Sequence, residues 1–278
     1  MNINQDMMNK INDIQFEIFK EFIDVCSRLN LKYYVVHGTL LGALRYGDFF
    51  PFDDDIDVAM PRKDYDIFLK EAQTMLSSKL FVQSTSTEND YPLCFSKLRN
   101  SETAFIQPVL DDFKINKGIY IDVFPIDFYP EDPSYLKKIK MRERLLSIRV
   151  NGRVKASRSI KQKIAIIFAK YFIPNWQKAV KSLSNLYSNV EQSKLCIVYG
   201  GKTSEIGIPF NWFDEGTIMS FRDIEVRAPK HFDLYLEKIY GDYRTYSPSE
   251  RHMVSDSLVK VSASIIDLEK SYKEYQDK

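Results

Sequence analysis

Four aspartates crowd one short stretch of this 278-residue chain, in the run Phe52-Asp53-Asp54-Asp55-Ile56-Asp57-Val58-Ala59. Alternate residues of a strand share a face, so on a strand Asp53, Asp55 and Asp57 would line up together. Carboxylates held on one face repel one another unless a cation sits between them, and hard oxygen donors suit Mg²⁺ or Mn²⁺. Further along, Gly118-Ile119-Tyr120-Ile121-Asp122-Val123-Phe124 sets a single acid in an apolar strand. A buried strand rarely accepts a lone Asp unless it is paired or metal-bound. Asp55, Asp57 and Asp122 are therefore the candidate catalytic and metal-ligating residues, a three-carboxylate clamp of the kind two-metal phosphoryl transfer requires. Asp53 is expected to support the ligands from behind rather than bind metal itself.

Competing readings of the acidic run are weaker. An EF-hand loop counted from Asp53 needs Gly at its sixth place and Glu at its twelfth, where the chain has Val58 and Asp64. A nucleophilic-aspartate motif of the haloacid dehalogenase kind wants an apolar strand before the first Asp and Thr or Val two residues after the second; Pro51 and Ala59 do not fit. An acidic turn that merely caps the following helix, and a D-x-D of a metal-dependent glycosyltransferase, both stay open on this run alone. The flanking residues favour phosphate chemistry. Gly38 and Thr39 precede a helix, with Thr39 the expected N-cap, and a helix N-terminus attracts phosphate through its free N–H groups and dipole. Arg45, Lys97 and Arg99 are candidate phosphate clamps, with salt bridges to the aspartates as the plain alternative. His37, just before the glycine, is a candidate substrate contact against the commoner structural role of a lone histidine.

The elements that must position these residues can be read from periodicity. Ile11, Ile14, Ile18, Phe22, Cys26 and Leu29 recur at steps of three or four and mark an amphipathic first helix. Strands are expected at 32–36, 53–60, 80–83, 94–98, 104–107, 119–124 and 217–221. Helices are expected after Thr39, after Pro61 and after Pro229. From Ser134 to about Val190 the pattern is helical, broken at Asn151-Gly152 and Pro174.

Composition sets the outer limits. The chain is 44% hydrophobic and 28% charged, which excludes disordered, collagen-like and disulfide-stapled classes. Cys26, Cys94 and Cys196 are scattered without a CxxC pair, so neither a disulfide framework nor a zinc site is expected. No stretch approaches the ~20 apolar residues that span a bilayer, the N-terminus lacks a signal-peptide pattern, and a reducing, cytoplasmic setting is expected. The net charge of +1 hides a segregation: residues 135–181 hold fourteen Lys and Arg and one acid, Glu143. This basic segment contains the apolar run from Ile164 to Ile173. It reads either as a solvated helical region or as a peripheral dock on an anionic membrane surface or lipid-linked substrate. No nucleic-acid module is present, and nucleic acid is not expected as a partner.

His37 to Arg45, then Asp53 to Arg62, closely resemble the signature of the LicD family, and Lys97-Leu98-Arg99, Gly118 to Pro125 and Tyr235 to Tyr243 look like further blocks of it. The resemblance covers most of residues 5–130 and a piece near the C-terminus, but not the basic segment. It implies an α+β fold: a nucleotidyltransferase-like mixed sheet flanked by helices, with the basic helical region appended. The expected division is a catalytic core at 1–130, the basic region at 131–200 and a C-terminal α/β segment at 201–278 that packs back on the core. The resemblance also implies an enzyme that moves a phospho-alcohol group, typically phosphocholine from CDP-choline, onto a hydroxyl of a surface glycan such as lipopolysaccharide or teichoic acid, releasing CMP. Fukutin-like relatives move ribitol phosphate instead. On this reading His37, Gly38, Thr39, Arg45, Arg62, Lys97 and Arg99 bind substrate. A choline head group would need an aromatic cage, for which Tyr120 and Phe124, beside Asp122, are candidates. The alternatives are another CDP-alditol donor, or sugar transfer by a D-x-D enzyme.

Overall fold

The structure is a computed structural model that describes residues 5–51, 53–152, 159–190, 193–198, 207–245 and 261–275; Phe52 and His252 lie outside them. The first helix, α1 (Gln5–Arg28), buries Ile11, Ile18, Phe22 and Cys26 completely or nearly so, which is the stripe its periodicity demands. β1 (Tyr34–Val35) leads into α2 (His37–Tyr46), and β2 (Asp57–Pro61) into α3 (Arg62–Glu71). β3 (Leu80–Gln83), β4 (Ser96–Asn100), β5 (Ala104–Ile106) and β6 (Ile119–Phe128) follow.

All of these strands but β5 form a mixed sheet in the order β1-β2-β6-β4-β3. The centre is β6, parallel to β2 and antiparallel to β4. Nine of its ten residues are buried, as expected of a strand covered on both faces. The sequence places the strand end at Phe124, but β6 runs on to Phe128 because β7 (Leu195–Val198) pairs antiparallel with its last three residues. β8 (Ile208–Pro209) pairs with β7. Between β6 and β7 lie three helices, α4 (Pro133–Asn151), α5 (Ile160–Phe172) and α6 (Trp176–Ser188). Asp132, Ser159 and Asn175 each cap the next helix through a side-chain oxygen, and the breaks fall at Gly152 and Pro174 as the sequence indicates.

The C-terminal part supplies the hairpin β9 (Thr217–Phe221) and β10 (Ile224–Ala228), then α7 (Phe232–Tyr240). β11 (Ile265–Asp267) pairs with β5. Phe221, Val226, Ala228, Tyr235 and Leu236 are buried in the same core as α1 and β6. A second, smaller core joins α4, α6 and Ile173, just after α5, to residues 91–115 through Trp176, Leu183, Phe113 and their neighbours. The three cysteines are buried and form no disulfide.

Two local expectations change. Strand structure begins at Asp57, not Asp53, so Asp53, Asp54 and Asp55 reach the site from an irregular segment. Aspartate is a poor strand former, and a row of like charges on one pleated face is unfavourable. Helix α2 begins one turn earlier than expected, with Val36 at the N-cap and no side-chain cap. The Thr39 hydroxyl is inside, where it accepts a hydrogen bond from the Asp57 N–H at 2.8 Å.

Candidate active site

Strand register builds the site. Asp57 on β2 stands opposite Asp122 on β6, and Asp122 stands opposite Lys97 on β4. One row of neighbouring side chains therefore crosses three strands on one face of the sheet. Asp55 joins from the segment before β2, and carboxylate oxygens of Asp55, Asp57 and Asp122 lie within 4.8 Å of one another. The backbone around them is tied down: the Asp122 N–H donates to Ile56 C=O at 2.8 Å, and the Val36 N–H to Asp57 C=O at 3.1 Å. The Lys97 ammonium, buried with its side chain, donates to the Asp122 carboxylate and lies 3.6 Å from the centre of the Tyr120 ring.

Asp53, Asp54 and Asp55 form a second set of oxygens, also within 4.8 Å of one another. Gln15 of α1 holds this segment by donating from Nε2 to Asp54 C=O at 2.7 Å. Asp53 lies directly against the start of α2: a Cβ added to Gly38 would meet Asp53 Oδ2 at 2.4 Å. Only glycine allows that approach, and it brings a carboxylate to the positive end of a helix. Both groups offer only hard oxygen donors at chelating separation, so the cluster can hold a divalent cation of the Mg²⁺ or Mn²⁺ kind.

His37, the first residue of α2, has a φ of 50°, a left-handed conformation uncommon outside glycine. Its Nδ1 is 3.3 Å from the Tyr235 hydroxyl of α7, its ring meets Phe124 edge-on, and its Nε2 is buried with no hydrogen-bond partner. Burial pulls its pKa down to about 4, with the charge of Asp55 opposing the shift. The imidazole is neutral at neutral pH.

The structure brings together His37, Gly38, Thr39, Asp55, Asp57, Lys97 and Asp122. It gives the three other basic candidates different partners. Arg45 is exposed at the far end of α2, roughly 10 Å along the helix from Gly38, over the Tyr46 and Phe50 rings. Arg62 makes a two-pronged ion pair with Asp127, at 2.7 and 2.6 Å, and Asp127 faces away from Asp122 by strand alternation. Arg99 is fully buried, donating to Gln83 and, at 2.6 Å, to Gly118 C=O. Its guanidinium also covers Tyr120 at 4.7 Å, so the Tyr120 ring already faces two cations of the protein itself. Phe124 stacks near Phe95 with centroids 4.6 Å apart.

Sequence reasoning missed Asp127, Tyr235 and Gln15. Asp127 carries a visible signal, a second acid in the same apolar strand, whereas Tyr235 and Gln15 reach the site only through tertiary packing.

A three-carboxylate cluster, two acids on adjacent strands and one on the segment leading into them, beside a helix N-terminus, is the arrangement of a nucleotidyltransferase-type site. Residues 30–149 match the family model described as LicD/FKTN/FKRP, nucleotidyltransferase domain. The lipopolysaccharide cholinephosphotransferase LicD of Haemophilus influenzae is 24% identical over 248 residues, 84% of this chain and 89% of that protein. An uncharacterized protein of Rickettsia prowazekii is 30% identical over 135 residues, 45% of this chain and 46% of its own length. One from Rickettsia typhi is 29% identical over 132 residues, 45% of this chain and 38% of its own. Residues 30–149 thus carry the LicD-type nucleotidyltransferase domain, and the similarity to Haemophilus LicD over most of both chains supports a LicD-type phosphotransferase.

Proposed function

We propose that this enzyme transfers phosphocholine from CDP-choline to a hydroxyl of a cell-envelope glycan, with CMP as the second product. The observation that carries the reading is the closure of Asp55, Asp57 and Asp122 to within 4.8 Å in a chain similar to 89% of the Haemophilus cholinephosphotransferase. In the reaction the acceptor oxygen bonds to the choline-bearing phosphorus. The bond from that phosphorus to the bridging oxygen breaks, and CMP leaves with the bonding electrons. Asp55, Asp57 and Asp122 would hold Mg²⁺. When bound, the metal supplies charge neutralisation at the diphosphate and the leaving group. Lys97 pairs with Asp122, and Asp122 orients the acceptor hydroxyl and takes up its proton as the new bond to phosphorus forms. The first N–H groups of α2, at Gly38 and Thr39, face the donor phosphates. Neutral His37 offers a hydrogen-bonding ring that adds no charge to an anionic substrate.

The test is metal-dependent CMP release from CDP-choline with lipid-linked glycans as acceptor. CDP-ribitol, CDP-glycerol and nucleotide-sugars are run in parallel. Asp57→Ala is expected to lower the rate by roughly a thousandfold or more, since loss of metal-borne charge stabilisation removes several kcal/mol from the transition state. CMP from CDP-ribitol alone keeps the mechanism and replaces choline. Turnover confined to nucleotide-sugars overturns the reading.

A further inference from the structure

Helix α5 is built inside out. In a surface helix the large apolar side chains face the core, yet here Ala169 is buried and Ala165 half-buried, while Ile160, Ile164, Ile167, Phe168, Tyr171 and Phe172 are 54–80% exposed. These six account for half of the large apolar side chains that the described residues leave exposed. At 100° per residue they fall on one arc of roughly 140°. Phe168 and Phe172 pack with tilted rings, centroids 4.4 Å apart, and Tyr171 meets Phe172 edge-on at 5.3 Å, so the stripe is a continuous apolar ridge. A ridge of this extent is unusual on a protein that meets only water.

Its surroundings say what covers it. Lys161, Lys163 and Lys170 on α5 are exposed beside the ridge. The neighbouring helices add exposed Lys137, Lys138 and Arg144 on α4, and Lys178 and Lys181 on α6. The one acid of the segment, Glu143, is turned inward and accepts a hydrogen bond from the Tyr187 hydroxyl. A second copy of this chain would bring the same cations against these. An anionic bilayer instead offers acyl chains to the ridge and phosphate headgroups to the lysines. At thirteen residues the helix is about 20 Å long, too short to cross a ~30 Å hydrocarbon layer, and no helix among the described residues is long and apolar enough to do so.

We infer that α5 is an interfacial anchor: it lies in the plane of an anionic membrane with Ile164, Ile167, Phe168 and Tyr171 among the acyl chains and the basic residues of α4–α6 on the headgroups. This stands apart from the choice of donor or acceptor, because it concerns a surface that holds none of the site residues.

The experiment is flotation of the full chain with vesicles, without any substrate. The chain is expected to float with phosphatidylcholine vesicles that contain phosphatidylglycerol, and to stay behind with pure phosphatidylcholine. Ile164→Asp combined with Ile167→Asp should lower the floated fraction about tenfold on anionic vesicles. Lys161→Glu, Lys163→Glu and Lys170→Glu together should reduce it to the neutral-lipid level. Both sets change exposed residues, so circular dichroism and melting should match the parent. The inference is overturned if the parent does not float with anionic vesicles, or if the apolar variant floats equally well. It is likewise overturned if sedimentation shows a dimer that the apolar variant splits while no vesicle binding occurs.

Discussion

Two acids sit on β6, and the protein treats them differently. Asp127 is buried against Arg62 in a two-pronged ion pair, a closed arrangement with a structural role. Asp122 also has a cation, Lys97, but two further carboxylates lie within 4.8 Å of it. Burial with a partner is therefore common to both, and it is the clustering at Asp122 that singles it out as a proposed metal ligand. Like charges at this separation raise the free energy of the metal-free fold, and a bound cation lowers it. Mg²⁺ at a hundredfold excess over its Kd should stabilise the protein by about 2.7 kcal/mol, a rise of roughly 5 °C in Tm. Asp57→Asn should abolish that rise, while melting no lower than the parent in chelator, because a neutral amide relieves the repulsion. Calorimetry with and without Mg²⁺ reads both effects. A parent whose Tm ignores Mg²⁺ and Mn²⁺ alike would remove the metal from the site.

At the scale of elements, the central strand depends on how closely its start approaches β4. A Cβ on Gly118 would lie 1.8 Å from Asn100 C=O oxygen, a backbone atom that cannot swing aside. The same glycine's carbonyl accepts from the buried Arg99 guanidinium. Gly118→Ala should therefore cost about 3 kcal/mol or more, as overpacking that moves backbone does, and urea unfolding would show it as a lowered midpoint. An unchanged midpoint would mean that β4 and β6 separate here at little cost. Periodicity made α1 legible, because its apolar stripe at 11, 18, 22 and 26 is long and regular. The three basic helices were legible from their breaks at Gly152 and Pro174. Asp55, Asp57 and Asp122 could be grouped beforehand, from the alternating acids of the run 53–57 and the lone acid of a later apolar strand. The use of Arg99 could not be foreseen: Lys97 and Arg99 share a face by alternation and both lie over the Tyr120 ring, and only the contacts with Gln83 and Gly118 show that the Arg99 guanidinium is spent on the fold. Pairing of β7 with the end of β6 was also hidden, since a contact across some seventy residues leaves no local pattern.

Apart from a small cluster of Ala104, Ile106 and Tyr272, the described residues combine two cores with opposite electrical surroundings. Among the described residues the main core holds forty-seven buried apolar side chains and the second, around α4–α6, thirteen. The second core carries the basic segment, with fourteen Lys and Arg to one acid over residues 135–181. A small core under a dense positive charge is expected to be the less stable part, because burial scales with its apolar content while self-repulsion opposes compaction. The two tryptophans allow each part to be followed: Trp176 is buried in the second core against Phe113, and Trp212 packs on the main one. In a Trp212→Phe variant, fluorescence from Trp176 should change at lower urea than the far-ultraviolet circular dichroism of the whole chain. Added salt screens repulsion between exposed charges farther apart than about 10 Å at 0.1 M ionic strength, so it should draw the two transitions together. Coincident transitions at every salt concentration would show instead that the basic helices and the catalytic sheet unfold as one cooperative unit, bound through β7 and the shared strand β6.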